Sequence, residues 1–172
     1  SIIYGNTASE DGGGVLQGNY SELNINNCTV TDNTAGTYGG GIYGGLSYSC
    51  TMDINNSILW GNTDGTAGTV SDQIYGSSYA TASYSDIEGG YTGTGNINSD
   101  PLFIAPNNGN YHLSAVSPCA DAGDASGDYT GQTDIDGQER VMGNVVDMGS
   151  DEVKGGVHNT TQDDWYVKVS SA

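Results

Sequence analysis

Along this chain apolar and polar residues alternate over four to six positions, stop at a cluster of turn formers, and begin again. Leu23-Asn24-Ile25-Asn26-Asn27 is echoed 29 residues later by Met52-Asp53-Ile54-Asn55-Asn56. Alternation of that length marks a short strand with one buried face. Two further segments return in the same rhythm. SIIYGNT at Ser1 to Thr7 recurs as CTVTDNT at Cys28 to Thr34 and as SILWGNT at Ser57 to Thr63, at intervals of 27 and 29 residues. Gly12-Gly13-Gly14-Val15-Leu16 recurs as Gly39-Gly40-Gly41-Ile42-Tyr43, with a weaker echo at Asp72-Gln73-Ile74-Tyr75, and Ala82 to Ile87 opens one more repeat. Gly, Asn, Asp, Ser and Thr fill the gaps, the residues that tolerate left-handed backbone or fold back onto it. The pattern predicts three short strands per repeat and an all-β solenoid, in which each repeat buries its apolar face against its neighbours. Apolar residues at helical spacing are missing before the tail, and 28 glycines make long helices costly.

Stacked repeats place equivalent residues above one another, about 4.8 Å apart. Asn6, Asn33 and Asn62 then form a ladder of amides, each bonded to the next, and Asn27 and Asn56 a second, shorter one. Asparagine also suits turns, but the fixed phase favours the ladder. The same register places Ile2, Thr29 or Val30, Ile58 and Asp86 or Ile87 in line, and stacks Tyr4, Thr31 and Trp60 on one face.

Charge narrows the range of partners. The net charge is −18 with three basic residues, Arg140, Lys154 and Lys168, so the first 139 residues carry no positive side chain. Nucleic acid and anionic membranes are poor partners for such a surface. No apolar run approaches the roughly 20 residues of a membrane span, so membrane insertion is not expected. Cys28, Cys50 and Cys119 lack metal-ligand spacing. Cys28 takes the position of Ser1 and Ser57 and reads as a small packed side chain.

From Cys28 to Glu152 the chain resembles right-handed parallel β-helix proteins of the pectate-lyase-like superfamily, with repeats like those of polymorphic outer-membrane proteins. GGGIY followed by NNSILWGN is similar to the rungs of that group. Asp86-Ile87-Glu88-Gly89-Gly90, GTGNINSDPLF at 93–103, NYHL at 110–113, SPCADAGD at 117–124, TDIDGQER at 133–140 and VDMGSDE at 146–152 resemble the closing segment of secreted bacterial members. The resemblance implies a right-handed parallel β-helix with about 27–29 residues per rung and four to five rungs over residues 1–98. An irregular closing segment over 99–153 is expected to continue the wall, with Leu102, Phe103 and Leu113 covering the last rung's apolar edge. Residues 154–172 read as a linker with a tail strand, or as the start of a further domain.

The superfamily's lyases use calcium held by clustered aspartates beside an arginine or lysine, and its hydrolases bring two or three aspartates together on adjacent rungs. Here the rungs contain neither Lys nor Arg, and Asp32, Asp53, Asp64 and Asp72 do not share a phase. His112 and His158 have no partner at catalytic spacing, and His112 reads as a strand residue facing solvent. Asp124, Asp128, Asp134 and Asp136 lie in a Gly-rich segment where hard oxygen ligands suit calcium, and Asp134-x-Asp136-Gly137 resembles half of an EF-hand loop. A solvated acidic loop is the other reading of the same residues.

These features predict a noncatalytic, extracellular or cell-surface module that serves as a structural or adhesive building block. The alternative is a carbohydrate-binding or polysaccharide-cleaving domain that meets glycans on Tyr4, Trp60 and Tyr43 or Tyr75. Copies of the chain are expected to assemble end to end. The edge around Ile2 and Ile3 would accept the strand Trp165-Tyr166-Val167-Lys168-Val169 of another copy, giving a filament.

Overall fold

The computed structural model describes residues 1–44, 50–64, 70–76 and 80–154. The chain is an all-β, parallel, β-helix-like solenoid of three turns and the beginning of a fourth, fewer than the four to five expected. Turn one carries β1 (Ile2–Tyr4), β2 (Thr7–Ala8), β3 (Val15–Leu16) and β4 (Glu22–Asn26). Turn two carries β5 (Thr29–Thr31), β6 (Thr34–Ala35), β7 (Ile42–Tyr43) and β8 (Thr51–Asn55). Turn three carries β9 (Ile58–Trp60), a single helical turn α1 (Val70–Gln73), β10 (Ile74–Tyr75) and β11 (Ala80–Ser83). The fourth begins with β12 (Asp86–Ile87).

Like strands pair in parallel. The sheets run β1-β5-β9-β12, β10-β7-β3 and β11-β8-β4, with a short β2-β6 pair beside them. Ile2 lies opposite Thr29, Thr29 opposite Ile58 and Ile58 opposite Asp86, which gives rungs of 27, 29 and 28 residues. Because side chains alternate along a strand, this register sends Val30, Leu59 and Ile87 inward, all fully buried. Ile42 and Ile74, Ile25, Ile54 and Ala82, and Met52 complete the interior layer.

The corners explain the turn chemistry. Gly5, Asp32 and Gly61 follow the first strand of successive rungs, and all adopt left-handed backbone, at φ 65°, 52° and 68°. Asn27, Asn56 and Tyr84 do the same after the last strand of each rung, at φ 50°, 47° and 47°. A residue at such a corner points away from the stack. Asn27 and Asn56 therefore form no second ladder. That role passes to their neighbours: Asn55 Nδ2 donates to Asn26 Oδ1 at 3.3 Å, and the Ser83 hydroxyl donates to Asn55 Oδ1.

Residues 91–98 cover the last rung. Tyr91 packs against the interior layer and its hydroxyl donates to Ala80 O at 3.0 Å. Ile97 exchanges backbone bonds with Ser85 and Ile87, while Asn96 Oδ1 accepts the Ser85 N–H.

The segment beyond residue 98 goes elsewhere. Its hairpin, β13 (Phe103–Ala105) and β14 (Asn110–Leu113), is antiparallel. It lies over the outer face of the β1-β5-β9-β12 sheet, not on the last rung's edge. Leu113, Cys119, Met148 and Val153 form a second core with Ile58, and Trp60 and Phe103 pack against it. Leu102 is 40% exposed and half-buried Phe103 meets the face of the sheet, so the capping expected of them is replaced by lateral packing. The seam spans the rungs: Tyr4 packs on Tyr111 at 5.0 Å, the Tyr111 hydroxyl donates to Asp32 at 2.7 Å, Ser150 N–H donates to Thr29 Oγ1 at 3.1 Å, and Gly149 N–H to Asn56 O at 2.8 Å. All three residues of β5 are buried as a result, as expected of a parallel sheet covered on both faces.

Leu113→Ala is expected to cost about 2–5 kcal/mol, because it empties the second core. Leu102→Ala should change stability by less than about 0.5 kcal/mol. Urea unfolding of the two variants checks the pair, and equal losses would mean that the segment packs on the rung end after all.

Candidate functional site

Buried amides run through the stack. Asn33 is fully buried. Its Oδ1 accepts both the backbone N–H of Asn6, at 3.0 Å, and the Asn6 side-chain amide, at 2.9 Å. Its own Nδ2 donates to Ile3 O and to Asn62 Oδ1, each at 2.9 Å. Asn62 repeats the arrangement one rung on, donating to Val30 O at 2.9 Å. The fourth rung has Gly90 in phase and no amide to offer. Gln73, the last residue of α1, fills the place: Asn62 Nδ2 donates to Gln73 Oε1 at 2.7 Å, and Gln73 Nε2 donates to Asn62 O and to Glu88. Sequence reasoning missed Gln73. The signal was its phase, since Gln73 falls where the previous rungs carry Gly14 and Gly41. A Cβ at Gly14 would lie 2.7 Å from Gly41 O and 3.0 Å from Asn33 Nδ2, and one at Gly41 2.6 Å from Gln73 O and 3.0 Å from Asn62 Nδ2, so the next rung's backbone, with the ladder beside it, leaves no room for a side chain.

The acidic residues of the closing segment are mostly engaged one by one in local turns. Asp124 accepts from Ser126 N–H and Oγ–H, which hold its carboxyl below the usual range. Asp128 accepts from Thr130 N–H, with the same effect. Asp134 Oδ1 accepts from Asp136 N–H and Gln138 N–H at 2.9 and 2.8 Å. Among the described residues, the four aspartates singled out for calcium do not gather into one group of ligand atoms. Asp136 turns instead toward His112, whose Nε2 lies 3.1 Å from its Oδ2. His112 is thus a half-buried partner of a carboxylate, not a strand residue facing only solvent. Asp151 joins this pair, and one ligand atom from each of His112, Asp136 and Asp151 lies within 4.8 Å of the others. Residues 112, 136 and 151 share no sequence spacing that would have revealed this.

A deeper knot ties the segment together. Arg140 is 2% exposed. Its Nη2 donates to Gly149 O, and to Asp147 O at 3.3 Å, while its Nε lies 3.4 Å from Glu152 Oε1, close enough to pair but not aligned for a hydrogen bond. Burial, with the Asp147 charge adding and Arg140 opposing, pushes the Glu152 carboxyl up to about 8. Burial likewise raises Asp147 to about 6, against the N–H groups of Val153 and Asp121. Asp86, on the outer face of β12, is raised to about 6 by burial, although Ser99 N–H and the Cys119 thiol both donate to it. Burial keeps Cys119 a thiol, and all three cysteines are free.

The proposed glycan face is divided. Trp60 packs against the second core and Tyr4 against Tyr111, so both meet the closing segment. Tyr38, Tyr75 and Tyr43 stack on one another at 4.3 and 5.5 Å. Ile2 and Ile3 are half-buried on β1, the outermost strand of its sheet. Trp165, Val167 and Val169 lie outside the described residues.

Residues 27–45 match the model of the Chlamydia polymorphic membrane protein repeat. No curated protein and no solved structure matches the chain. The matched stretch holds Asn33 together with Gly39-Gly40-Gly41-Ile42, the buried amide of the second rung and the glycines and inward isoleucine that accompany it. No helix among the described residues is long and apolar enough to cross a membrane.

Two outcomes follow from this chemistry. Asn33→Ala and Gln73→Ala should each cost about 1–3 kcal/mol by leaving buried amides unpaired, whereas Asn108→Ala, in an exposed turn, should cost little; thermal melts of the three distinguish them. The Asp86 carboxyl holds its proton more tightly in the folded protein than in the unfolded chain, so its contribution is most favourable below about pH 4 and is lost as pH rises towards 6. Asp86→Asn is therefore expected to stabilise the protein by about 1–3 kcal/mol at pH 7.5, a gain that vanishes near pH 4. Denaturation curves at both pH values check the sign.

Proposed function

We propose that this chain is a noncatalytic structural module of a bacterial surface protein, displayed outside the cell as a stiff, acidic segment. The observation that carries the reading is the match of residues 27–45 to a membrane-protein repeat, at the place where the ladder amide and its glycines meet. The buried polar side chains support it: Asn33, Asn62, Gln73, Ser57 and Ser85 all bond from one rung to the next. Most aspartates of the closing segment set turns. A surface of net charge −18 is suited to a solvated exterior and repels anionic membranes and nucleic acid.

Assembly end to end belongs to the same reading. What supports it is that like strands pair in parallel at one register from rung to rung, with β1, β3 and β4 on the first rung described. A further rung from another copy would pair with these strands and continue the ladder beyond Asn6.

An antibody raised against the purified chain should label intact cells that make the protein. Labelling that requires permeabilised cells would overturn the surface reading. Electron micrographs of the purified chain should show filaments that shorten when charged residues replace Ile2 and Ile3, and monomers throughout would end the assembly reading alone.

A further inference from the structure

His112, Asp136 and Asp151 arrive from three separate parts of the closing segment. His112 is the outward residue of β14, between the buried Tyr111 and Leu113. Asp136 sits in a turn that Asp134 fixes through two backbone N–H groups. Asp151 is 5% exposed, and its Oδ2 accepts the Leu113 N–H at 2.8 Å.

The orientation of the histidine is settled by Asn110. Asn110 Oδ1 accepts the backbone N–H of His112 at 3.1 Å and lies 2.5 Å from Nδ1 of the ring. An amide oxygen only accepts, so Nδ1 carries the proton. Nε2 then faces Asp136 Oδ2 at 3.1 Å, a position where either a ring proton or a metal ion can bridge the two atoms. A histidine whose far nitrogen is held by an oxygen acceptor is the usual arrangement of a metal ligand.

We propose that His112 Nε2, Asp136 and Asp151 bind a divalent transition-metal ion of the zinc type, which clamps β14, the 134–137 turn and residues 147–153 together. Two atoms each about 2.0–2.2 Å from one ion, at angles between octahedral and tetrahedral, lie roughly 2.8–3.6 Å apart. The separation of 3.1 Å between Nε2 and Oδ2 fits that range. A second proton on the ring pairs with Asp136 at hydrogen-bond distance, whereas an ion among the three ligand atoms, all within 4.8 Å of one another, can draw on all three. Mixed nitrogen and oxygen donors select zinc-like ions over calcium, which takes oxygen ligands. With three protein ligands, a water molecule would complete the shell on the half-exposed side. The site is distinct from the run of four aspartates considered for calcium and shares only Asp136 with it.

The test is titration calorimetry of the full 172-residue chain with zinc chloride at pH 7.5, in a His158→Ala background so that the tail histidine contributes nothing. About one ion should bind per chain and the melting temperature should rise. His112→Ala and Asp136→Asn should each weaken binding at least ~10-fold with an unchanged circular dichroism spectrum, and Asn110→Ala should weaken it about 10–100-fold by freeing the ring. Asp136 is half exposed, so its variant keeps the test valid if His112→Ala folds poorly. Absence of zinc binding in the parent chain, affinity unchanged in both ligand variants, or an equal response to calcium would each overturn the proposal.

Discussion

Registered stacking of buried amides is the constraint on which the rest of this molecule depends. A short strand of two to five residues has little apolar surface of its own, and the interior between rungs is one side chain deep. Asn33 and Asn62 bond upward and downward through both ends of the carboxamide while also accepting or donating to the neighbouring backbone. A slip of one residue would bury an unpaired amide and turn the inward isoleucines to solvent, so two independent penalties enforce one register. The glycines at positions 14 and 41 follow from the close approach of the next rung's backbone, with the ladder amides beside it.

A solenoid of this kind is held together only by contacts between neighbours. The closing segment changes that by running along the outer face of one sheet and bonding to residues of several rungs, from Tyr4 and Thr29 to Asn56 and Asp86. Coupling distant rungs to one another makes their opening cooperative. It also buries carboxyl groups, and Asp86, Asp147 and Glu152 are raised in consequence. The lateral seam thus trades stability at neutral pH for a body that does not fray rung by rung.

The functional reading rests on the same mechanics. The repeat that matches a membrane-protein family is short because the distinctive physics is short: an amide, a left-handed corner and three glycines before an inward isoleucine. The outer surface is left to an excess of acidic groups. Such a design suits a stiff exposed spacer, to which a metal clamp in the closing segment would add local rigidity.

The alternation of apolar and polar residues and the repeat interval were sufficient by themselves to determine the all-β solenoid and which strands pair, because a period of two within strands and a period near 28 between them align like segments; whether Thr29 or Val30, and Asp86 or Ile87, lies in line with Ile2 and Ile58 was left to the structure. Asn33 and Asn62 were legible for that reason. The second set of asparagines was misread by one residue, since backbone handedness at a corner, not residue type, decides whether Asn26 or Asn27 faces its neighbour. Gln73 was hidden because it comes from a helical turn and reaches the ladder from a different phase. Only the tertiary structure decided where the closing segment goes. That segment has no repeat to align it, and its position follows from side chains that meet across long sequence separations, such as Tyr111 with Asp32 and Ser150 with Thr29. His112, Asp136 and Asp151 converge through that same packing, which no local pattern in the chain encodes.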